Sequence, residues 1–151
     1  PAYLAFPKSL GANATPIAFA EVYLALQNGT VDAQENPLPT IEAKKFFEVQ
    51  KNIILTGHIA DALLTVVAPG TLAKMPPADQ KVLFELMQEA AANATNDIRK
   101  REGELVEEFK KRGNNVVTVD RNAFQQRVLK AIDHASMGLD KKDWDRVVAI
   151  K

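Results

Sequence analysis

The feature that most constrains this fold is a helical pattern over residues 77–112. Apolar residues recur there at spacings of three and four, Pro77 lies at the start, and Gly113 follows the end. A continuous helix of this length would measure about 54 Å, which is more than one small domain covers. We therefore expect the helix to bridge two lobes. A coiled coil is the alternative, but residues 91–101 are rich in Asn, Thr and Asp and do not sustain heptads.

Composition excludes several classes of function. The 151-residue chain carries 19 Lys and Arg against 19 Asp and Glu, so it offers no basic surface for nucleic acid. It has no cysteine, which rules out disulfides, thiolate metal sites and cysteine nucleophiles. The longest apolar run, residues 62–68, is shorter than the ~20 residues of a membrane span, so we expect no direct membrane insertion.

Helical and extended patterns alternate along the chain, which is typical of the α/β class. The expected helices cover residues 2–10, the first part of 16–37, and residues 38–49, 77–112, 121–134 and 141–150. The expected strands cover residues 13–17, 31–33, 52–56, 62–68 and 116–119. The strand signal is strongest at residues 62–68, Ala-Leu-Leu-Thr-Val-Val-Ala.

Residues 16–37 organise the chain around a short helix and a polar run. The helix should end at Asn28-Gly29, and the following run carries Gln34, Glu35 and Asn36 before a proline. Polar side chains delivered at a strand end suit a polar-ligand pocket, because ligands of open α/β sheets bind at that edge. A solvated loop is the competing interpretation.

Two further residues have both a structural and a functional interpretation. Phe19, at a strand-to-helix junction, is either a core residue or a platform for a ligand. His58 is either a structural histidine or a functional one, and with two histidines in the chain we predict no metal site. A hydrolase or isomerase using Glu35 and His58 as acid and base would also need a nucleophile or electrophile that the sequence does not show. The chain contains no P-loop, dinucleotide fingerprint or nucleophile elbow.

A set of short motifs in the first third of the chain is more specific. They are residues 11–16 (Gly-Ala-Asn-Ala-Thr-Pro), Ala18-Phe19, 21–23 (Glu-Val-Tyr), 25–27 (Ala-Leu-Gln), Gly29, Val31-Asp32, 34–37 (Gln-Glu-Asn-Pro), Lys45-Phe46, 48–51 (Glu-Val-Gln-Lys), Thr56 and His58. On these motifs the chain resembles the TRAP-type substrate-binding proteins. These are the soluble periplasmic receptors of tripartite ATP-independent transporters, which carry organic acids.

The resemblance implies a type II-like periplasmic-binding-protein fold, in which two lobes close on the ligand by a hinge motion. The family's receptors are longer, and this sequence corresponds to their second half. Residues 1–61 and 102–151 would belong to lobe two, residues 62–101 to lobe one, and the helix over 77–112 would bridge them. The resemblance implies no enzymatic activity and no cofactor, and it implies a periplasmic location, although no export signal is present in this chain.

The resemblance also implies roles for individual residues. Asn36 would be the main ligand contact of this half, with Phe19 and Gln34 beside it. Glu35 and His58 would form a buried polar network just behind the ligand. The family's principal carboxylate ligand is an Arg in a strand just before the position of Pro1, so we expect this chain alone to bind acids weakly or not at all. We expect a C4-dicarboxylate or related organic acid, with sugar acids next.

The expected partners follow from the same resemblance. They are a small carboxylate, the membrane permease of the transporter and the missing N-terminal half. An unpaired strand at residues 62–68 would also favour a strand-exchanged dimer. The alternative function is a helical interaction module, with residues 77–112 as the functional element and no small-molecule ligand.

Overall fold

The computed structural model of the chain describes residues 2–60, 62–131, 134–135 and 138–150. In chain order, the elements are α1 (Ala2–Ser9), a 3₁₀ turn (Phe19–Glu21), α2 (Val22–Gln27), α3 (Leu38–Ala43), α4 (Phe46–Val49), β1 (Asn52–Leu55), α5 (Pro69–Leu72), α6 (Pro77–Lys111), β2 (Asn115–Thr118), α7 (Arg121–Ala131) and α8 (Lys141–Val148). Within these residues no helix has both the length and the apolar character that crossing a membrane requires.

The long helix is confirmed almost to the residue. α6 contains 35 residues, with Pro77 at its first position and Arg112 as its C-cap, and Gly113 adopts a φ of 92° just beyond it. Proline suits the first turn because its missing N–H would have had no intrahelical partner there. Leu105 and Phe109, near the end of α6, are completely buried. Residues 84–100 are exposed throughout.

Within the described residues, β1 and β2 pair with each other in a two-stranded sheet. The backbone N–H of Asn115 donates to the carbonyl of Lys51 at 2.8 Å. The side chain of Asn115 donates to Asn52 at 2.9 Å. Because these contacts join the starts of both strands, the strands run in the same direction.

The chain divides into two compact units. Unit 1 comprises Pro1–Val22, Ile54–Ile59 and Val117–Lys151, and unit 2 comprises Tyr23–Ile53 and Ala60–Val116. The boundaries expected for the two lobes remain a prediction. Asp61, at one of those boundaries, lies outside the described residues.

The buried apolar core belongs to unit 2. Its described members are Leu26, Ile41, Phe46, Ile53, Leu105 and Phe109. They come from α2, α3, α4, β1 and α6. The helices on both sides of the polar run, α2 and α3, thus share one core with the C-terminal part of α6.

The prediction of a single helix over residues 38–49 is wrong. The chain forms α3 and α4 instead, and Lys45 between them has a left-handed φ of 57°. Ile41 and Phe46 are five positions apart, which on a continuous helix would turn their side chains about 140° away from each other. Both are buried, so the break allows both to reach the same core.

In unit 1, α1 packs against α7. The rings of Phe6 and Phe124 lie 5.9 Å apart at this contact. Asp120 caps α7 by accepting hydrogen bonds from the N–H groups of Asn122 and Ala123, as its position in the sequence predicts. The predicted extension of α7 to residue 134 falls partly on residues 132–133, which lie outside the described residues.

Three predicted strands are wrong. Residues 13–17, 31–33 and 62–68 have no regular secondary structure. The strongest signal, at residues 62–68, fails because a strand needs a neighbour to satisfy its backbone N–H and C=O groups, and the described residues offer this segment none. Leu63 is 95% exposed and Leu64 is 84% exposed.

Candidate functional site

The polar run before α3 forms a compact loop in unit 2. The Nδ2 of Asn36 donates to the Oε1 of Gln34 at 2.6 Å, and both side chains are half-buried. The two residues are only two positions apart, so this contact is local to the loop. Glu35, between them, is exposed. An amide side chain has two N–H donors and an acceptor oxygen, so this contact uses one of the donors of Asn36.

The backbone fixes this loop to the start of α3. Pro37 is the N-cap of α3, with φ −59° and ψ 149°. Its carbonyl accepts hydrogen bonds from the N–H groups of Thr40 and Ile41 at 2.9 and 3.0 Å. Proline has almost no freedom in φ, so the orientation of α3 determines where Asn36 lies.

Phe19 begins the 3₁₀ turn that leads into α2, and its side chain is 48% exposed. It belongs to unit 1. A half-exposed ring at the start of a helix is not a core residue of this chain. Its exposure is compatible with the ligand-contact role that the resemblance implies.

His58 lies in the segment after β1 and is half-buried. Its Nδ1 is 2.7 Å from the hydroxyl oxygen of Thr56. Its ring stacks on Phe6, with centroids 3.8 Å apart and planes at 14°. The hydroxyl and the ring together fix the orientation of the imidazole.

The structure therefore brings three of the five predicted site residues together. Gln34, Glu35 and Asn36 share one loop of unit 2, whereas Phe19 and His58 belong to unit 1. The network of Glu35 with His58 remains a prediction. In this chain Glu35 is exposed and His58 is half-buried.

The sequence indicates the i,i+4 pair of Glu108 with Arg112, but the contacts that Arg101 makes in a charged network on α3 and α6 were not found from the sequence. The Arg101 guanidinium contacts both carboxylate oxygens of Glu42, at 2.5 and 3.2 Å. It also contacts both carboxylate oxygens of Glu108, at 2.6 and 3.1 Å. Arg101 thus connects α3 to a residue about two turns further along α6.

A second cation adjoins the same carboxylates. Arg112 lies 3.5 Å from Glu42 and from Glu108, and its guanidinium carbon lies 4.6 Å above the ring of Phe47. Hydrogen bonds from Arg101 lower the pKa of Glu108, and hydrogen bonds to Glu108 and Glu42 raise the pKa of Arg101. Arg101 and Glu108 therefore stay ionised near neutral pH.

Other features of the described residues do not suggest a site. A surface depression of about 670 Å³ is lined by residues of α8 and its flanks, none of which is a predicted site residue. Among the residues described, no group of three or more His, Cys, Asp or Glu side chains is arranged to hold a metal ion.

Comparison with known proteins gives a consistent result. Residues 1–137 match the family model described as bacterial extracellular solute-binding protein, family 7. The sialic acid-binding periplasmic protein SiaP of Vibrio cholerae is 41% identical over 123 residues, which are 82% of this chain and 38% of that protein. The 2,3-diketo-L-gulonate-binding periplasmic protein YiaO of Escherichia coli is 37% identical over 125 residues, again 82% of this chain and 38% of that protein.

A solved structure agrees with these sequence relatives. The crystal structure of a TRAP periplasmic solute-binding protein from Roseobacter denitrificans, with bound 3-deoxy-D-manno-oct-2-ulosonic acid, is similar with a TM-score of 0.86 and 32% identity. The match covers 97% of this chain and 48% of that one. The chain therefore spans about half or less of the proteins that it matches.

Proposed function

Because this chain belongs to the bacterial extracellular solute-binding proteins of family 7, we propose that it is part of a TRAP transporter receptor. The receptor captures an organic acid in the periplasm and delivers it to the membrane permease. The observation that carries this proposal is the 41% identity to a periplasmic sialic acid-binding protein over 82% of the chain. The relatives are binding proteins, and we propose no enzymatic activity.

We propose a sugar acid as the ligand. The named relatives bind sialic acid and 2,3-diketo-L-gulonate, and the Roseobacter denitrificans structure contains a deoxy-ulosonic acid. Each of these ligands combines a carboxylate with several hydroxyl groups. This ranks a sugar acid ahead of the C4-dicarboxylate that we expected from the sequence.

Within this half of the receptor, Asn36 is the main ligand contact. Its amide both donates and accepts, so it can bind a carboxylate or a hydroxyl group. Gln34 accepts a hydrogen bond from Asn36 and thereby fixes the orientation of that amide. Phe19 offers an exposed apolar surface to the carbon skeleton of the ligand. Glu35 and His58 support the site from behind, as the resemblance implies.

The remaining parts of the receptor complete the function. Since this chain spans 38% of its named relatives, the N-terminal half, with its carboxylate-binding Arg, is proposed as a partner of residues 1–151. An Arg binds a carboxylate through two charged hydrogen bonds that an amide cannot replace. Residues 1–151 alone should therefore bind acids weakly, and ligand-induced hinge closure belongs to the complete receptor.

Titration calorimetry on the full-length protein tests the proposal. The probes are sialic acid, 3-deoxy-D-manno-oct-2-ulosonic acid and succinate, a C4-dicarboxylate. We expect at least one sugar acid to bind, and Asn36→Ala to weaken its binding by about tenfold or more, because the hydrogen bond is made to a charged or polar group in a closed site.

Asn52→Ala is the matched control. It also removes an amide from unit 2, but that amide forms an exposed pair with Asn115. The control should bind as the wild type does. If the full-length protein binds none of the three acids, the proposed ligand class is wrong. If Asn36→Ala and Asn52→Ala bind equally well, Asn36 is not a ligand contact.

One observation favours the helical interaction module as a second candidate. Val82 and Leu86, which lie one turn apart on the same side of α6, are each about half-exposed. An exposed apolar helix surface of this kind suits a protein partner. Association of the full-length protein with a partner in the absence of any acid, lost on Leu86→Lys, would support this candidate over the receptor.

A further inference from the structure

We propose that Arg101 is a positioning residue for Asn36, which it holds in place by clamping α3 to α6 through Glu42 and Glu108. This inference rests on the proposed function, since it names a residue that sets ligand affinity without touching the ligand. Every residue in the argument belongs to unit 2.

The clamp is geometrically specific. Two edges of the Arg101 guanidinium are occupied, one by the two oxygens of Glu42 and the other by the two oxygens of Glu108. Bidentate contacts of this kind define direction as well as distance, because the guanidinium and the carboxylates are planar. The Arg101 side chain is 35% exposed and that of Glu42 is 27% exposed, so solvent only partly screens the pair.

The clamp acts on the element that carries the ligand-binding loop. Glu42 lies in the last turn of α3, and Pro37, next to Asn36, caps its first turn. α3 is about 9 Å long, so a tilt of about 10° around its clamped end would move Asn36 by about 1.5 Å. A displacement of that size is enough to spoil a hydrogen bond to a bound ligand.

α3 is held by more than the clamp. Ile41 is buried in the same core as Leu105 and Phe109. These apolar contacts remain when Arg101 is replaced, so the substitution should loosen the orientation of α3 without unfolding it. A loss of affinity that exceeds the loss of folded protein is therefore the signature of positioning.

The test uses Arg101→Met, Glu42→Gln and a matched control in the full-length protein. Glu104→Gln is the control, because Glu104 also contacts Arg101, at 3.5 Å, but lies on α6 itself. Titration calorimetry with sialic acid and 3-deoxy-D-manno-oct-2-ulosonic acid measures affinity, and thermal unfolding measures the folded fraction. We expect Arg101→Met and Glu42→Gln each to weaken binding about tenfold in samples that remain folded at the assay temperature.

Two further variants separate positioning from a general loss of stability. The double variant with both Arg101→Met and Glu42→Gln should lose less affinity than the sum of the two single losses, because both changes break the Arg101–Glu42 contact, and only the 3.5 Å contact of Glu42 with Arg112 is lost in addition. Arg101→Lys should restore only part of the affinity, since an ammonium cannot make both bidentate contacts. Glu104→Gln should bind as the wild type does.

A ligand-independent measurement keeps this inference separate from the proposed function. The side-chain amide signals of Asn36 in a ¹H–¹⁵N NMR spectrum should shift or broaden in Arg101→Met and stay in place in Glu104→Gln. Unchanged signals would overturn the inference, as would a wild-type protein that binds a sugar acid no more tightly than Arg101→Met. If the wild type binds no acid while the NMR signals respond as expected, the proposed function fails and the clamp stands.

Discussion

Phe6 and His58 stack face to face, with their ring centroids 3.8 Å apart and their planes at 14°. Phe6 also neighbours Phe124, so this one ring joins α1 to α7 and to the segment after β1. Phe6→Leu keeps most of the apolar volume but removes the stacking. We expect it to lower the free energy of unfolding by about 1 kcal/mol, measured by urea denaturation. Phe6→Tyr keeps the ring and should retain most of the stability, and an equal loss in both variants would contradict the stacking argument.

Gly57 is expected to resist substitution because of its backbone conformation. Its φ is +55°. A Cβ there would lie 2.7 Å from the Cζ of Arg121, but the guanidinium is the far end of a flexible side chain and can move aside. Gly57→Ala should therefore lower the free energy of unfolding by about 1 kcal/mol, which comes from the left-handed backbone. Urea denaturation of residues 1–151 measures this loss.

Gly29→Ala is the control for the backbone contribution. Its φ is +70°, but no atom lies within 4 Å of the position that a Cβ would take there. It should lose the same backbone contribution, so we expect equal losses of unfolding free energy in the two variants. A clearly larger loss in Gly57→Ala would mean that Arg121 does not move aside.

The clamp should give a pH-dependent contribution to stability. Hydrogen bonds from Arg101 lower the pKa of Glu108 below its ordinary value of 4.5. A group with a lowered pKa stabilises the folded state fully above its unfolded pKa, and the contribution is lost as the pH falls through the folded pKa. The difference in unfolding free energy between wild type and Arg101→Met should therefore be largest at pH 7 and shrink below about pH 4.

Urea denaturation at several pH values between 7 and 3 measures that difference. Lys81→Met is a suitable control, because Lys81 pairs only loosely with Glu85, at 3.8 Å, on the exposed part of α6. Lys81→Met should change the free energy of unfolding only slightly at every pH. A difference for Arg101→Met that stayed constant down to pH 3 would contradict ionic clamping by Glu108.

Residues 62–68 should promote self-association of residues 1–151 on their own. Leu63, Leu64 and Val66 are among the most exposed apolar side chains of the described residues. We expect the molar mass measured by light scattering to rise with concentration, and a variant with both Leu63→Lys and Val66→Lys to remain monomeric. Val147→Lys, which replaces an exposed apolar residue of α8, should associate as the wild type does. A wild-type chain that is monomeric at every concentration would contradict this prediction.

Local signals were sufficient to predict the elements that local interactions determine. α6 was predicted from its apolar spacing and from Pro77 at its first position. The cap of α7 was predicted because Asp120 bonds to residues two and three positions away. Both depend on contacts between residues that are close in the sequence.

The errors involve contacts between distant parts of the chain. Residues 62–68 have high strand propensity but no neighbouring strand among the described residues, so propensity alone could not make them a strand. The break at Lys45 depends on the shared core of Ile41 and Phe46, which no local pattern reveals.

The candidate site divides in the same way. The Gln34–Asn36 contact spans only two positions, and the sequence predicted that these residues lie together, although it did not predict the hydrogen bond between them. The contact of Arg101 with Glu42 spans 59 positions, and neither residue stands out in its local pattern. A charged residue of this kind is recognisable only when the partner helix is in place.

The length of α6 has a mechanical consequence. Arg101 contacts α3 from a point about 15 Å before the C-terminal end of α6, and Pro77 lies about 36 Å away along the helix axis in the other direction. The helix is a stiff lever, so a rotation of about 10° at the clamp would swing its far end through about 6 Å. The same rotation of about 10° moves Asn36 by about 1.5 Å. The displacement at the far end of α6 is therefore roughly four times larger than the displacement at Asn36.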